Sequence, residues 1–491
     1  MLMEWTRETL KQLIEEKLNG SHFIVVSNRE PFIHKKTLEG VKCMIPASGV
    51  TMALDPVLRA SGGTWIAHGS GDADRQVVDE KNKVRVPPED PKYSLRRIWL
   101  NKAEETGYYY GFSNETLWPL CHIVYNKPTF EEADWLHYKA VNEKFAKTII
   151  DEVAGQKAFV FIQDYHLALL PKLLREANPE IKSALFWHIP WPNPEAFRIN
   201  PWKEEILNGM LGADLLGFHI HYHTDNFLST VDQTLEVRAD RVSSSVVSGG
   251  RETLVRPFPI SVDFDQIQKD ASSPDIPEQI ERIKKEYNLT AQFIGIGTDR
   301  IDYTKGILER FRAIDKFLEK YPEYLGKFTF LQAGVLSRIH IKKYKELNDE
   351  INAVVEQINW KYSSDSWQPI VMLRRHFSPK ELIVLYRMAD ICVVSSLHDG
   401  MNLVAKEFVA ATDPKKGMLI LSRFTGSARE LTDAVLINPY ASDSFAEKIK
   451  TALEMPPEEK EKRNLKMKEM IAESNIYKWA GKIIQALLRL A

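Results

Sequence analysis

Two short stretches of this 491-residue chain bring together side chains able to hold a phosphate or pyrophosphate. The first is Thr298-Asp299-Arg300-Ile301-Asp302-Tyr303-Thr304-Lys305-Gly306, which follows an apolar run and leads into an amphipathic pattern. Two cations five residues apart, near a helix start whose free amides favour anions, suit a phosphate or pyrophosphate. Taken alone, the segment fits equally well with Arg300 pairing to Asp299 or Asp302 as a surface ion pair. It holds neither GxxxxGK(S/T) nor a complete GxGxxG, which disfavours a P-loop and the standard dinucleotide fingerprint. The second stretch is Leu397-His398-Asp399-Gly400-Met401-Asn402-Leu403-Val404-Ala405-Lys406-Glu407. Asp399 and Gly400 form a turn, the amides from Gly400 to Val404 can cradle an anion, and Glu407 lies one to two helical turns further, able to accept from a ribose diol. An N-cap by Asp399 with a solvent-facing Glu407 explains either residue alone, but not the whole string. His219, His221 and His223 alternate, and on a strand they would share one face as metal ligands could. With no acidic fourth ligand in view, no metal is expected there.

Such groups need a scaffold, and the chain supplies short β-branched or aromatic runs alternating with amphipathic helical stretches. That alternation predicts parallel sheets with crossover helices. Strands are expected at 23–26, 64–67, 158–162, 183–187 and 215–219, then at 293–297, 328–332, 370–373, 391–395, 418–422 and 435–438. Helices are expected at 141–153, 167–177, 307–320, 341–360, 379–388, 404–411 and 444–455. Pro257, Pro259, Pro274 and Pro277 interrupt the pattern between the two series. The predicted fold is therefore α/β, with two doubly wound, Rossmann-like domains facing each other across a cleft. The boundaries are 1–264 and 265–469, with a helix over 470–491 returning to the first domain. Ligands in such sheets lie beyond the carboxyl ends of the strands, where both strings fall.

Composition excludes other classes. The 65 basic and 67 acidic side chains are interspersed and leave a net charge of −2, so no global field recruits nucleic acid. Three widely spaced cysteines without CxxC argue against a disulfide framework and fit a reducing, cytoplasmic setting. Residues 1–22 read as a charged amphipathic helix rather than a signal peptide, and nowhere do about 18 uncharged apolar residues run together, so no membrane contact is expected.

The strings Val26-Ser27-Asn28-Arg29, Asp164-Tyr165-His166, His188-Ile189-Pro190, Arg300 with Asp302-Tyr303-Thr304-Lys305-Gly306, and Asp399 through Glu407 resemble those of the trehalose-6-phosphate synthase family, in its order and near its spacings over 22–485. These are retaining nucleotide-sugar glycosyltransferases of family 20 with two facing Rossmann-like domains (GT-B type) and the active site in the interdomain cleft. The resemblance implies that Arg300 and Lys305 hold the donor pyrophosphate, that Glu407 binds the ribose, and that the amides of Leu403 and Val404 support the phosphates. Asp399 and His188 would hold sugar hydroxyls, with Gly400, Met401 and Asn402 completing the donor loop and Gly49 touching the donor phosphates from the first domain. Arg29, Tyr109, Trp118 and Arg338 would bind the acceptor phosphate. The family's accepted picture is front-face attack, in which the departing phosphate takes the acceptor's proton and Asp164 assists without becoming a covalent nucleophile. No cofactor is implied. The expected reaction moves glucose from a nucleotide-glucose, UDP-glucose favoured, to glucose 6-phosphate, and a separate phosphatase would act downstream. A homo-oligomer is left open.

Three departures stand out. His68, in Gly62-Gly63-Thr64-Trp65-Ile66-Ala67-His68, replaces a second tryptophan near the acceptor sugar, which leaves glycerol 3-phosphate or a cyclitol phosphate as alternative acceptors. The segment Gln332-Ala333-Gly334-Val335-Leu336-Ser337-Arg338 lacks the proline common in the base-cupping loop, which leaves adenosine and guanosine donors open. The stretch 30–48, with Lys35, Lys36 and Lys42, is longer than in bacterial members, and reads equally as a lid or an ordinary surface loop. A silent sugar-phosphate sensor is disfavoured, because it has no need for Arg300, Lys305, Asp399 and Glu407 together.

Overall fold

The computed structural model describes residues 4–18, 20–46, 49–338 and 340–489. It divides into two units, Met1–Ile260 with Ile476–Ala491, and Ser261–Asn475.

The strands of the first unit are β1 (His22–Arg29), β2 (Ile33–Thr37), β3 (Gly40–Met44), β4 (Thr64–His68), β5 (Lys83–Val86), β6 (Tyr93–Ile98), β7 (Ala158–Gln163), β8 (Lys182–Phe186), β9 (Leu215–Phe218), β10 (Arg238–Asp240), β11 (Ser245–Ser248) and β12 (Arg251–Pro257). Its large sheet runs β10-β11-β12-β9-β8-β7-β1-β4-β6-β5. From β12 to β6 all pairings are parallel, and the antiparallel β5 and β11 with β10 close the two sides. The order reverses between β1 and β7, which makes the ends of those two strands the switch point. The second unit holds β13 (Phe293–Thr298), β14 (Phe328–Ala333), β15 (Ile370–Leu373), β16 (Ile391–Val394), β17 (Met418–Ser422) and β18 (Val435–Ile437). They form an all-parallel sheet in the order β15-β14-β13-β16-β17-β18, with its switch point between β13 and β16. Both are Rossmann-like.

The central strands are buried along their whole length, as in Ala158–Gln163, Phe328–Ala333 and Ile391–Val394. Helices cover both faces of such sheets, so the strands read as near-continuous apolar runs. This is why they are visible in the sequence. The strand β6 is not, because Arg96 and Arg97 sit in its middle. Both are buried by ion pairs, Arg96 with Asp151 and Glu152, Arg97 with Glu30 and Asp74.

Several expectations change. The stretch 30–48 is not an open loop: β2 and β3 form a hairpin with Lys35 opposite Lys42, while Ala47 and Ser48 lie outside the described residues. The N-terminal helix spans Arg7–Leu18 and buries Leu10, Leu13 and Ile14. The helix expected at 167–177 starts only at Leu170, after a 3-10 turn over Tyr165–Leu167. The helix expected over 470–491 is instead the end of one helix, Pro457–Glu473, and a second, Ile476–Leu488, broken at Ser474-Asn475, with 490 and 491 outside the described residues. The first belongs to the second unit. The other packs on the helices Arg7–Leu18 and Gly49–Ser61 and on β8 and β9 of the first unit. The units divide after Ile260, ahead of the helix Phe264–Ala271, rather than after residue 264.

Candidate functional site

In the second unit both chemistry-bearing strings fall at the switch point. The chain leaves β13 through Asp299 and Arg300, makes a 3-10 turn over Tyr303–Lys305, and enters the helix Ile307–Lys320. Gly306 joins them at φ +61°, and a Cβ there would lie 2.2 Å from the Ser395 carbonyl oxygen. Only glycine tolerates both conditions. Beneath the turn, Arg310 is fully buried. Its guanidinium meets Asp299 at 2.7 Å, Gln332 Oε1 at 2.6 Å and Ser395 Oγ at 3.0 Å, tying β13, β14 and β16 together. Asp302 is also buried, and its Oδ1 accepts from the Thr304 amide and hydroxyl. Burial alone would raise its pKa, but Arg338 and Arg300 hold the carboxyl below its usual range.

From this turn Lys305 reaches Asp399, with Nζ 2.5 Å from Oδ2. The same oxygen accepts from Ser396 Oγ at 3.2 Å and Asn402 Nδ2 at 3.1 Å. Asn402 caps the helix Leu403–Ala411 by accepting from the Ala405 amide, so the amides of Leu403 and Val404 open the helix beside the lysine. Gly400 and Met401 belong to the preceding turn. Glu407 lies inside that helix, half-buried, and accepts from Tyr386 Oη at 3.1 Å. Burial raises its pKa against the effect of that hydrogen bond. The neighbouring Lys406 is buried on Glu430 at 2.8 Å. The second unit therefore brings Arg300, Lys305, Asp399 through Val404 and Glu407 around one switch point. Arg338 is buried beside Asp302, with its NH1 3.1 Å from Oδ2 and 2.5 Å from Tyr344 Oη.

In the first unit β1 ends on Arg29, whose NH2 donates to Tyr109 Oη at 2.8 Å. Tyr109 stacks on His166 with centroids 5.7 Å apart and rings within 11° of parallel. It is carried by a π-helix over Glu105–Leu117, a rare element that is frequent at functional sites. Asn114 in the same segment donates to the Tyr109 carbonyl and accepts from Tyr165 Oη, locking the π-helix onto the end of β7. Trp118 follows, buried against His122 and Tyr165. Asp164, just after β7, accepts at Oδ1 from the amides of Tyr165 and His188 at 2.9 and 3.2 Å. His188 follows β8. Burial, with a smaller effect of His166, pushes its imidazole down to about 3, so the ring is neutral at physiological pH. Gly49 opens the helix Gly49–Ser61. His68 ends β4 beside Arg29 in register, its ring 3.2 Å from the Ile98 carbonyl, and burial lowers its pKa.

Three of these residues, Asp164, Asn402 and Arg338, adopt positive φ of 76°, 79° and 50°. Such conformations cost non-glycine residues on the order of 1–3 kcal/mol and cluster at functional sites. The histidine triplet, by contrast, does not share a strand face. His219 follows β9, while His221 and His223 lie in the helix His221–Thr234. Among the described residues no group of three His, Cys, Asp or Glu side chains is arranged to hold a metal. Sequence reasoning passed over Gln163, Tyr344, Arg310 and the Glu30–Arg97 pair. Gln163 and Tyr344 each lie near a recognisable string, but Glu30 and Asp74 are too distant in sequence from Arg97 to signal it, as are Gln332 and Ser395 from Arg310.

Two doubly wound units with polar side chains at their switch points, and in one of them a cationic turn beside helix amides, are the architecture of a nucleotide-binding protein with two Rossmann-like domains. The chain belongs to glycosyltransferase family 20, whose model matches residues 21–489. It is 35% identical over 95% of its length to the bifunctional trehalose-6-phosphate synthase/phosphatase of Thermoproteus tenax, and spans 63% of that relative. A trehalose-6-phosphate synthase structure from E. coli bound with UDP-2-fluoro glucose superposes with TM-score 0.84 at 31% identity, covering 96% of this chain and all of that one. The UDP-forming α,α-trehalose-phosphate synthase of Burkholderia xenovorans, in complex with glucose-6-phosphate, superposes with TM-score 0.85 at 28% identity, covering 95% and 100%. No helix among the described residues is long and apolar enough to cross a membrane.

Proposed function

We propose that this chain transfers glucose, with retention, from UDP-glucose to glucose 6-phosphate, giving α,α-trehalose 6-phosphate and UDP. The observation that carries the reading is the Lys305–Asp399 contact beside Arg300 and the start of the helix Leu403–Ala411. Negative charge accumulates on the nucleotide diphosphate as the anomeric carbon–oxygen bond breaks. Preorganised cations and amides stabilise that charge more in the transition state than in the ground state. In this reading Arg300, Lys305 and the amides of Leu403 and Val404 take the pyrophosphate, and Glu407 takes the ribose. Asp399 and His188 take sugar hydroxyls, with Gly49 on the donor phosphates. Arg29, Tyr109, Trp118 and Arg338 take the acceptor phosphate. The acceptor hydroxyl attacks the anomeric carbon on the face the leaving group departs from, and its proton passes to the departing phosphate oxygen. Asp164, whose Oδ1 is held by two backbone amides, assists without forming a glycosyl ester. We place the reaction in the cytoplasm, where three free cysteines are stable.

One observation favours a second reading. His68, beside Arg29 on the sheet, gives a smaller wall than tryptophan, which suits another phosphorylated acceptor such as glycerol 3-phosphate. Incubation with UDP-, ADP- or GDP-glucose and either acceptor, with nucleotide diphosphate and product identified, tests both. UDP release with glucose 6-phosphate is expected. Release with glycerol 3-phosphate alone would transfer the conclusion to the second reading, and binding of both ligands without turnover would make the protein a sensor.

A further inference from the structure

Gln163, the last residue of β7, is fully buried, and its side chain reaches the His188 ring. Its Oε1 lies 2.9 Å from His188 Nε2, while its own Nε2 is directed at the Phe161 carbonyl 3.4 Å away. A carbonyl only accepts, so Phe161 orients the amide with its NH2 group away from the histidine. An amide oxygen also only accepts, so the hydrogen between Gln163 and His188 belongs to the imidazole. The ring then carries its proton on Nε2 and keeps a lone pair on Nδ1. We propose that Gln163 is a positioning residue that fixes His188 as the Nε2–H tautomer, so that His188 meets a donor-sugar hydroxyl as a hydrogen-bond acceptor and not as a donor.

The surroundings support a ring held in one place and one state. The His188 amide donates to Asp164 Oδ1, and its carbonyl accepts from His219 Nε2 at 3.1 Å. The rings of Phe186, His219 and Trp479 stand 4.7, 5.5 and 6.3 Å from it. The ionisable groups facing it are Asp164 from the end of β7, His166 from the following 3-10 turn, and His219 beyond β9. The low pKa set by burial keeps the ring neutral, and neutrality leaves the tautomer as the remaining choice, which the Gln163 oxygen makes. The inference rests on the sugar-binding role proposed for His188, but the tautomer itself can be read without any substrate.

The test begins with 15N imidazole NMR of the uniformly labelled full-length protein, with His188 assigned from a His188→Gln spectrum. The expected result is a protonated Nε2 and an unprotonated Nδ1, unchanged between about pH 5 and 8. An Nδ1–H tautomer in the wild type overturns the proposal. Gln163→Glu then places a carboxylate against Nε2–H, which favours the imidazolium and turns Nδ1 into a donor. Its kcat/KM for the donor should fall as pH is lowered through the new imidazole pKa, a limb absent from the wild-type profile. A profile superimposable on wild type overturns the positioning role. Gln163→Met, neutral and without an acceptor, should mix the tautomers and lower donor kcat/KM about fivefold, the size expected for one hydrogen bond, with the acceptor KM unchanged. If either variant fails to fold, the wild-type spectrum still decides. Absence of turnover with every glucose donor would overturn the transferase reading, while the spectrum continued to decide the tautomer.

Discussion

The switch points of the two units are built in opposite ways. In the second, most of the chemistry comes from two contiguous strings, each a strand end followed by a turn and a helix start, closed over each other by the Lys305–Asp399 contact. In the first, Arg29, Tyr109, Trp118, Asp164 and His188 come from separate segments, and rings and buried polar links hold them together. A site made of local strings positions itself once its turns form. A site gathered from four segments depends on long-range contacts that align strand ends, so damage to those contacts should register in stability as much as in activity.

The sharpest way to break the comparison is through Arg97 in the first unit. Its guanidinium is fully buried between Glu30 at 2.7 Å and Asp74 at 2.9 Å, and it donates to the Phe32 carbonyl at 3.0 Å. Through these contacts it ties the residue after Arg29 to the base of the β2–β3 hairpin. Arg97→Ala removes the cation from between the buried Asp74 carboxylate and the Glu30 carboxyl group, and should cost about 3–5 kcal/mol in denaturant unfolding. A loss under 1 kcal/mol would show that the first site does not depend on this anchor. The same cluster predicts a pH effect. Burial, followed by a hydrogen bond with Asp74, raises Glu30 from 4.5 to about 8, so between those values the folded state binds a proton that the unfolded state does not. Its contribution is fully present below pH 4.5 and is lost as pH rises through 8. Asp74 behaves oppositely. Burial would raise it, but hydrogen bonds from His34 and Glu30 outweigh that and lower it from 3.8 to about 2, so its contribution is lost as pH falls through that value. Melting temperature should therefore decline toward pH 8 in the wild type and decline less in Glu30→Gln. Parallel curves would refute a stored proton.

Next in size is Arg300. It is only partly buried, so Arg300→Ala should cost less stability than Arg97→Ala, limited to its share in holding the Asp302 carboxylate. Loss of one preorganised charge contact to the leaving group costs about 3 kcal/mol, so turnover should fall by two orders of magnitude or more. The contrast with Arg97 is the point of the experiment: one arginine acts on turnover, the other on stability. Near-normal turnover would remove Arg300 from the pyrophosphate site.

The same contrast explains what was legible in the sequence. Every strand that is apolar along its length was visible, because burial on both faces leaves a continuous run. The second site was visible because glycine, cation and acid fall within nine residues of one another in each string. What escaped depends on partners far along the chain or on a period other than that of the α-helix. Tyr93–Ile98 looks too polar for a strand until Arg96 and Arg97 are seen in their ion pairs. Residues 105–117 show no helical apolar stripe, because the π-helix has a different period. The histidine triplet shows the limit of alternation as a signal. Alternation suggested a strand, but β9 stops at Phe218 and a helix begins at His221.

The smallest predicted effect probes Arg338, the one residue proposed for the acceptor phosphate that lies in the second unit. Arg338 is an exception to the rule of local strings, since Asp302 and Tyr344 reach it from either side of the loop that carries it. Tyr344 Oη lies 2.5 Å from Arg338 NH1 and 3.2 Å from Asp302 Oδ2, and Asp302 in turn caps the Tyr303–Lys305 turn. Tyr344→Phe keeps the ring in the core and removes only the hydroxyl. One net hydrogen bond is worth about 1 kcal/mol, so stability should drop by that amount. If Tyr344 also orients Arg338 toward the acceptor phosphate, the acceptor KM should rise about fivefold while kcat and the donor KM stay near wild type. A rise confined to the donor KM would show that the tyrosine acts through Asp302 on the Lys305 turn, making Arg338 part of the donor machinery.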